Sequence, residues 1–241
     1  MTAVLLQACL NGSRSGHDHP AVPLTPAQTA VDAAGAVAAG AGALHIHPRD
    51  PDGSETLAPD AVAAALDATR SAVEVPVGVT TGAWLAPSAA ARLSMIDRWS
   101  VVPDFASVNF HEEGAPELAA ELLARGVGVE AGVWTPAAAL ALVQSGLAEQ
   151  CVRVLIEPPE QTLDAAMATV AAIDDVLAAV PGLRRLLHGI DQTAWPVLEA
   201  AVTRGDDVRI GLEDTTVLPD GTPCTGNAEL VGYAHLALGR S

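Results

Sequence analysis

The sequence predicts an α/β fold in which eight parallel strands, each followed by a helix, close into a (β/α)8 TIM barrel, a single domain over residues 1–241. Short apolar runs alternate strictly with Ala-rich amphipathic stretches, and there are eight of each. The chain has 241 residues, near the ~250 typical of one such barrel. Half of the residues are hydrophobic but only 3% are aromatic, which favours a core of small aliphatic side chains with helices packed close to a sheet.

The predicted strands are the short apolar runs. Parallel strands need a crossover between each pair, and the alternation supplies a helix each time. Eight repeats in a chain of this length favour a closed barrel over an open, doubly wound sheet. In chain order, the strands are expected at residues 3–10, 43–47, 75–80, 105–110, 127–133, 152–157, 185–189 and 208–213.

The predicted helices are the Ala-rich stretches, and several begin with a start signal. Thr25-Pro26, Ala86-Pro87 and Thr135-Pro136 place Pro in the first turn, where its missing N–H is not needed, and Thr193 precedes an Ala/Leu pattern. In chain order, the helices are expected at residues 26–39, 58–72, 87–98, 115–125, 136–147, 162–178, 192–203 and 226–238.

The charge excludes several classes of function. The chain has 12 Lys+Arg against 29 Asp+Glu, a net charge of −17. A protein that binds nucleic acid or docks on anionic lipid would normally show a basic face, so neither partner is expected. All 12 basic residues are Arg, which excludes a Schiff-base lysine and a P-loop lysine.

The cysteines and the first residues favour a cytoplasmic enzyme. Cys9, Cys151 and Cys224 are widely spaced and form no CxxC, so neither a disulfide framework nor a cysteine zinc site is expected. The first ten residues lack the basic segment and cleavage site of a signal peptide. The longest uncharged run, residues 131–148, contains Pro and Gly and is interpreted as a strand end plus a helix rather than a membrane span.

The sharpest chemical feature is His45-Ile46-His47 at the end of the second predicted strand. Side chains at positions i and i+2 of a strand point to the same face. Both imidazoles would therefore converge at the barrel mouth, where nitrogens can reach one divalent ion at ~2.0–2.1 Å. Taken alone, the motif is also compatible with two histidines in an ordinary polar strand end.

The eighth predicted strand ends in a charged cluster, Arg209-Ile210-Gly211-Leu212-Glu213-Asp214. Arg209, Gly211 and Glu213 would share one face, which makes Glu213 a candidate third ligand. Asp214, just past the strand, is a candidate base. Two His and one Glu with an open position are typical of a catalytic zinc site rather than a structural one. A salt bridge that closes the barrel end is the competing interpretation.

Further polar residues end the middle strands. Thr80-Thr81-Gly82 offers hydroxyl and backbone donors for an anion, and Ser107 and Asn109 share one face of strand four. Glu130 lies within strand five, where an unpaired carboxylate would be costly, so we expect Arg, a metal or solvent beside it.

Other residues near the mouth have weaker assignments. Arg49-Asp50 is expected to orient the two histidines. The long loop at residues 10–26 is of the kind that carries function at this face of a barrel. Trp84 and Trp134 are expected to line a substrate pocket, His17 and His19 are interpreted as solvated loop residues, and His111, His188 and His235 have no clear partner.

A set of motifs runs from one end of the chain to the other. It comprises Leu10-Asn11-Gly12, Pro23-Leu24-Thr25-Pro26, residues 41–50 with Asp52-Gly53, Thr80-Thr81-Gly82, residues 106–109, residues 208–214 and residues 227–231. The pair HxHxRD, at 45–50, and VRxGLED, at 208–214, is highly specific. On these motifs the sequence resembles the β-keto acid cleavage enzymes, the group that includes 3-keto-5-aminohexanoate cleavage enzyme.

The resemblance implies a homo-oligomer, a tetramer or dimer, that depends on zinc or another divalent metal. Such enzymes condense a β-keto acid with acetyl-CoA and cleave the adduct to acetoacetate and a new acyl-CoA. The matching positions imply zinc ligands at His45, His47 and Glu213, a base at Asp214, its charge partner at Arg209 and a nearby carboxylate at Glu130. They also imply that Thr80, Gly82 and Ser107 hold the keto-acid carboxylate, with Thr81 and Asn109 beside them in the substrate site.

The chain also departs from the family pattern. It is shorter than is usual, and Arg14 and Ser15 stand near the position where several members carry an acidic residue. At −17, the protein offers anionic CoA no long-range attraction, so recognition must be local. Arg14 is the expected side chain for CoA, and the loops at 189–193 and 214–227 are the expected backbone sites.

Three alternatives remain open at this point. The first is a zinc-dependent retro-aldol lyase that does not use CoA. A requirement for CoA in the reaction would favour the main prediction over this lyase. The second is an amidohydrolase-type barrel, disfavoured because HxH lies on strand two and lysine is absent. The third is a non-catalytic barrel with a degraded site, disfavoured because the residues His45, His47, Glu213 and Asp214 are intact.

Overall fold

The computed structural model describes residues 4–239, and over that range eight parallel strands close into one barrel in chain order, with a helix after each strand. The predicted fold class is therefore confirmed. The strands are Leu6–Cys9 (β1), Ala43–Ile46 (β2), Val77–Thr80 (β3), Phe105–Asn109 (β4), Gly128–Val133 (β5), Arg153–Ile156 (β6), Arg185–Leu187 (β7) and Asp207–Ile210 (β8). The helices are Pro26–Ala38 (α1), Pro59–Ala72 (α2), Ala89–Asp97 (α3), Ala115–Ala124 (α4), Pro136–Gln144 (α5), Leu163–Leu177 (α6), Ala194–Arg204 (α7) and Asn227–Leu238 (α8).

Several strands end earlier than predicted, and β8 differs most. It ends at Ile210, so the prediction that Glu213 lies within strand eight is wrong. A Cβ added to Gly211 would lie 1.9 Å from the carbonyl oxygen of Cys9, so only glycine allows β8 to approach β1 this closely before it turns. Ala3, where the first predicted strand begins, lies outside the described residues.

The start of α1 shows why the helix signals succeed. The Thr25 hydroxyl accepts a hydrogen bond from the Gln28 N–H (3.2 Å), and the Gln28 side chain accepts one from the Thr25 N–H (3.1 Å). This reciprocal capping satisfies two of the backbone donors that a helix start leaves free. No helix within residues 4–239 is both long and apolar enough to cross a membrane.

The barrel interior is polar across its width. Gln7 Nε2 on β1 donates to Glu130 Oε1 on β5 at 2.9 Å, and these strands lie on opposite sides of the closed sheet. The aliphatic core lies instead between the sheet and the helices, where residues such as Val129, Ala131 and Val133 are fully buried. The inner face of the sheet is therefore free to carry the chemistry.

Asp32 on α1 is predicted to make stability fall as the pH rises. Its carboxylate accepts a hydrogen bond from Asn227 Nδ2 on α8 (2.6 Å), and burial, which outweighs that bond, raises the pKa of Asp32 to about 6. A raised carboxyl pKa means that the folded state binds the proton more tightly than the unfolded chain does. The contribution of Asp32 to stability should therefore be greatest below about pH 4 and decrease by roughly 2–3 kcal/mol as the pH rises through about 6.

Urea denaturation of Asp32→Asn tests this expectation. The variant should show a flatter stability–pH curve between about pH 4 and 6, where the carboxyl group titrates. Asp67→Asn, at an exposed position on α2, is the control and should follow the unmodified protein. Parallel curves for Asp32→Asn and the unmodified protein would contradict the prediction.

Candidate active site

Three side chains from β2 and the turn after β8 converge at the carboxyl end of the barrel. The Nε2 atoms of His45 and His47 lie 3.1 Å apart, and Glu213 presents Oε2 to His45 (3.7 Å) and Oε1 to His47 (3.5 Å). Donors bonded at ~2.0–2.1 Å to one tetrahedral ion stand about 3.3 Å apart. The spacing of the three donors therefore fits a single divalent metal ion, and the predicted ligands meet in one place.

The protonation states of His45 and Glu213 also suit a metal. Burial lowers the pKa of His45 to about 3, so the ring is neutral. Burial would raise the pKa of Glu213, but the Arg209 guanidinium and the two imidazoles outweigh it and hold that pKa well below its usual range. Glu213 Oε2 is buried without a hydrogen-bond partner. A neutral imidazole and an ionised carboxylate with a free oxygen are the forms that bind a metal.

The outer nitrogens of both histidines have partners. His47 Nδ1 lies 2.5 Å from Glu55 Oε1, and His45 Nδ1 lies 3.3 Å from Ser107 Oγ. Such contacts fix the ring orientation and leave Nε2 for the ion. The sequence suggested Arg49-Asp50 for this role, and that assignment is wrong for Arg49, whose side chain bonds to the carbonyl groups of Gly12, Arg14 and Gly53.

Gly12 determines where Glu213 can lie. Its φ of +53° lies in the left-handed region, and a Cβ at this position would be 2.3 Å from Glu213 Cγ. Both facts favour glycine here. Arg49 holds the same loop through the carbonyl of Gly12. The loop after β1 therefore leaves the space in which the third ligand reaches the histidines.

Glu130 lies below this centre and is fully buried. It accepts hydrogen bonds from Arg153 Nε (2.6 Å), Ser107 Oγ (2.6 Å) and Gln7 Nε2 (2.9 Å). Arg153 is thus the partner that the buried position of Glu130 required. Because Ser107 also contacts His45, Glu130 supports the three candidate ligands from beneath and does not line the cavity above them.

Asp214 lies behind Arg209 rather than in the open mouth. Its carboxylate is fully buried and accepts hydrogen bonds from Arg209 Nη2 (2.9 Å) and the Cys9 thiol (2.6 Å). Arg209 also donates to Glu213. Burial would lower the pKa of Arg209, but Asp214 and the other anions around it raise that pKa well above its usual value. A permanent positive charge therefore faces the cavity with Asp214 as its buried counter-ion.

A cavity of about 420 Å³ opens above the three ligands. Thr80, Ser107 and Asn109 line it, as do Trp84 and Trp134, as expected from the sequence. Thr81 and Gly82 do not: the Thr81 hydroxyl donates to the Ser107 carbonyl (2.6 Å), and the Gly82 N–H donates to Thr80 Oγ1 (3.3 Å). The full lining is Ser13, Arg14, Asp18, His45, His47, Thr80, Trp84, Ser107, Asn109, Trp134, Leu155, Glu157, Ile190, Asp191, Arg209 and Glu213.

Arg14 lies on the cavity rim and is already paired. Its Nη2 is 2.6 Å from Asp191 Oδ1, and its Nε donates to the Glu213 carbonyl (3.3 Å). Asp191 has a φ of +50°, which is uncommon for a residue other than glycine. The loops after β1, β7 and β8 thus meet at Arg14.

Two carboxylates near the candidate site, Glu157 and Glu55, could not be singled out from the sequence. Glu157 follows β6 and lines the cavity, and its Oε2 lies 3.2 Å from Nε2 of the fully buried His188. Glu55 reaches His47 because residues 49 and 55 form an antiparallel bridge. A carboxylate at a strand end was the available signal for Glu157, but its pairing with His188 depends on the positions of β6 and β7.

Comparisons with known proteins agree with this description. A family model described as beta-keto acid cleavage enzyme matches residues 3–239. The solved apo structure of ObcA is 16% identical with a TM-score of 0.72, covering 92% of this chain and 62% of the ObcA chain, so this chain spans less than two thirds of that protein. Type I 3-dehydroquinate dehydratase from Clostridium difficile is 11% identical with a TM-score of 0.67, covering 99% of this chain and 92% of that one. At these identities the structures show a shared barrel fold.

Proposed function

The chain belongs to the β-keto acid cleavage enzyme family, and on that basis we propose that it condenses a β-keto acid with acetyl-CoA and cleaves the adduct to acetoacetate and a new acyl-CoA. The observation that carries this proposal is the cluster of His45, His47 and Glu213 at the floor of a cavity. We propose zinc as the ion, with another divalent metal as the alternative, because two imidazoles and one carboxylate form a typical open zinc site.

The polar lining suits a substrate with two carbonyl groups separated by one carbon. The ion, when bound by His45, His47 and Glu213, supplies Lewis acidity that stabilises negative charge on a 1,3-dicarbonyl. Arg209 adds a permanent positive charge at the same wall. We propose that the Thr80 hydroxyl binds the carboxylate, with the Asn109 amide beside it, whereas the Ser107 hydroxyl in the same cavity donates to Glu130.

The proposed reaction conserves its atoms and its proton count. The C2–H bond of the β-keto acid breaks, and the C2 carbanion attacks the thioester carbonyl of acetyl-CoA. The CoA thiolate leaves and then attacks the original keto carbonyl. The bond from that carbonyl to C2 breaks, which yields the new acyl-CoA and the acetoacetate carbanion. C2 finally regains one proton, so the protein needs a group that takes a proton and returns it.

The residues behind the wall position the reacting groups. We propose that Asp214 fixes Arg209, that Glu130 fixes Ser107 and Arg153, and that Glu55 fixes His47, each through the contacts described above. The sequence predicts Asp214 as the base. That role stays a prediction, and it would require the buried carboxylate to reach a substrate past Arg209.

A panel of β-keto acids with acetyl-CoA and zinc-loaded protein tests the proposed function. Formation of acyl-CoA and acetoacetate in equal amounts is the expected result. The competing retro-aldol lyase predicts cleavage without CoA, so the same panel is run with CoA omitted. Cleavage that is equally fast in both series would reject the acyl-transfer proposal.

We further propose that Arg14 contacts the phosphates of CoA at the cavity rim. Arg14→Ala should raise KM for acetyl-CoA several-fold and leave zinc content unchanged, and the effect should shrink at high salt because only nearby charges escape screening. Arg98→Ala, at an exposed position after α3, is the control. If Arg14→Ala raised only the KM for the keto acid, the loop after β1 would line the keto-acid pocket and not the CoA site.

Two further properties of the protein are proposed, its cellular compartment and its oligomeric state. The free and buried cysteines Cys9, Cys151 and Cys224 are compatible with a reducing compartment, and we propose a cytoplasmic enzyme. We also propose a homo-oligomer, either a dimer or a tetramer. Uncharged side chains on the outer faces of the helices, such as Val31 on α1 and Leu236 on α8, are exposed and would suit helix contacts between copies.

A further inference from the structure

Two of the three candidate metal ligands lie beyond the ends of their strands. His47 is one residue past β2, and Glu213 is three residues past β8. A backbone hydrogen bond from the Leu10 N–H to the His45 carbonyl (3.0 Å) continues the pairing of β1 with β2. In a regular parallel ladder, the His47 N–H would donate next, to the Leu10 carbonyl. Both of these groups bond instead to asparagine side chains, so the regular ladder ends where the ligands begin.

Asn11 binds the backbone of His47 through both of its groups. Asn11 Oδ1 accepts a hydrogen bond from the His47 N–H (2.8 Å), and Asn11 Nδ2 donates to the His47 carbonyl (2.9 Å). Nδ2 also donates to the Pro23 carbonyl (3.1 Å). The Asn11 side chain is buried, and its acceptor and both of its donors are used, so the amide has one favoured orientation. Asn11 therefore fixes the position of His47 where the sheet no longer does.

Asn227, at the start of α8, makes the equivalent contacts on the other side of β1. Its Nδ2 donates to the Leu10 carbonyl (2.8 Å), and its Oδ1 accepts a hydrogen bond from the Leu212 N–H (2.7 Å). Nδ2 also donates to Asp32 Oδ2 (2.6 Å) on α1. Asn227 is fully buried. Because Glu213 directly follows Leu212, the Asn227 amide fixes the turn that carries the third candidate ligand to the end of β1.

We propose that Asn11 and Asn227 are positioning residues that hold His47 and Glu213 in a metal-binding arrangement before the ion binds. This inference rests on the metal site of the proposed function. Neither asparagine lines the cavity, so each acts through a ligand and not on the substrate. Buried amides whose hydrogen bonds are all made rigidify their surroundings. A site that is already ordered loses less conformational freedom when the ion binds, which raises the affinity.

Hydrogen exchange in the unmodified, metal-free protein tests whether the two segments are ordered in advance. The amide protons of His47 and Leu212 should be protected to within about tenfold of those of Leu44 and Val208, which lie inside β2 and β8. In Asn11→Ala, the His47 amide should lose more than about tenfold of its protection while the Val208 amide keeps its own. Exchange of the His47 and Leu212 amides at the rate of an unprotected amide would overturn the inference.

Zinc affinity, measured by competition with a chelating indicator, tests the consequence for the metal. Asn11→Ala and Asn227→Ala should each raise the Kd for zinc about tenfold, as loss of an outer partner of a ligand does. Leu142→Ala is the control for lost stability, because Leu142 is fully buried on α5, outside the barrel, and its truncation leaves a cavity there. It should lower the urea midpoint and leave the Kd for zinc unchanged, since the protein is folded in the binding assay.

An exchange of the amide and carboxylate at positions 227 and 32 provides a rescue. In the double variant Asp32→Asn with Asn227→Asp, the relocated carboxylate can still accept from the Leu212 N–H and from the relocated amide. The Kd for zinc should therefore lie within about threefold of the unmodified value, although the Leu10 carbonyl loses its donor. Asp32→Asn alone is the control for the change on α1. A Kd as weak as that of Asn227→Ala would overturn the role of Asn227, and this test does not depend on the folding of the alanine variant.

The remaining outcomes separate this inference from the proposed function. An unchanged Kd for zinc in either alanine variant would overturn the role of that asparagine, and a Kd weakened equally in Leu142→Ala would overturn both roles. Acyl-CoA formation by the unmodified protein would leave the proposed function intact in these cases. Zinc binding that depends on Asn11 and Asn227, without acyl-CoA formation from any keto acid, would reject acetyl-CoA condensation and support the inference. Failure of the unmodified protein to bind a divalent ion would reject the metal site and the inference together.

Discussion

His45→Ala protein is expected to lose its metal ion and its turnover together. His45 supplies one of three donors, and the remaining two, His47 Nε2 and one Glu213 oxygen, lie 3.5 Å apart with no third protein donor beside them in the described part of the chain. Loss of an outer partner of a ligand alone typically costs about 10–100-fold in metal affinity. Loss of the ligand itself should cost more than about 100-fold. Glu213→Ala should behave in the same way.

Metal content after dialysis, measured beside acyl-CoA formation, checks this result. His235→Ala, at an exposed position on α8, controls for the loss of an imidazole and should keep one equivalent of zinc and full activity. Glu55→Gln should fall between the two, because it weakens the orientation of His47 without removing a donor. Full activity with stoichiometric zinc in His45→Ala or Glu213→Ala would refute the ligand assignment.

The fold was predictable because its signal is repeated along the whole chain. Each apolar run or Ala-rich stretch on its own is a weak signal for a strand or a helix. Their strict alternation, however, leaves few topologies for parallel strands. The histidine pair was predictable for a related reason: residues two apart in a strand share a face wherever the strand ends. His47 lies one residue past β2, and its Nε2 still lies 3.1 Å from that of His45.

The prediction from the alternation of strands and helices was wrong about where β8 ends. It placed Glu213 correctly near the two histidines but as part of β8, whereas Glu213 reaches them from a turn that begins at Gly211. The same turn directs Asp214 inward to Arg209 and Cys9. The geometry of this turn depends on the close approach of β1 to β8, and no local sequence pattern predicts that contact.

Side-chain contacts between neighbouring strands were likewise not predictable from the sequence. Glu130 and Arg153 are register partners on β5 and β6, and their pairing follows only when the strand ends are known to within one residue. His188 lies between carboxylates from two other strands for the same reason. A buried charge could be predicted to need a partner, but the partner's identity depended on the register.

Glu130→Gln is expected to produce the largest loss of stability. Glu130 is fully buried and accepts hydrogen bonds from three side chains, including the buried Arg153 guanidinium. A neutral amide leaves that guanidinium without a counter-charge, and breaking a buried ion pair from one side costs about 3–5 kcal/mol. Ser107 also loses its acceptor, so the position of His45 should be less fixed and zinc affinity should fall.

The pH dependence of that loss distinguishes a charge effect from a packing effect. Burial would raise the pKa of Glu130, but Arg153 and the hydrogen bond from Ser107 lower it to about 2. A depressed carboxyl pKa means that its contribution is fully present above the unfolded value of ~4.3 and is lost as the pH falls through about 2. The stability gap between the unmodified protein and Glu130→Gln should therefore be widest above about pH 5 and narrow by roughly 3 kcal/mol toward pH 2.

Urea unfolding of metal-free protein between pH 2 and 7 measures this gap without interference from zinc binding. Glu74→Gln, at an exposed loop position, is the control, and its curve should follow that of the unmodified protein because an exposed carboxylate contributes little. A gap that stays constant with pH would mean that Glu130 acts through shape and hydrogen bonding alone. The expected decrease of the stability difference toward pH 2 would instead show that the charge of Glu130 provides the stability, because protonation removes that charge and leaves the side chain in place.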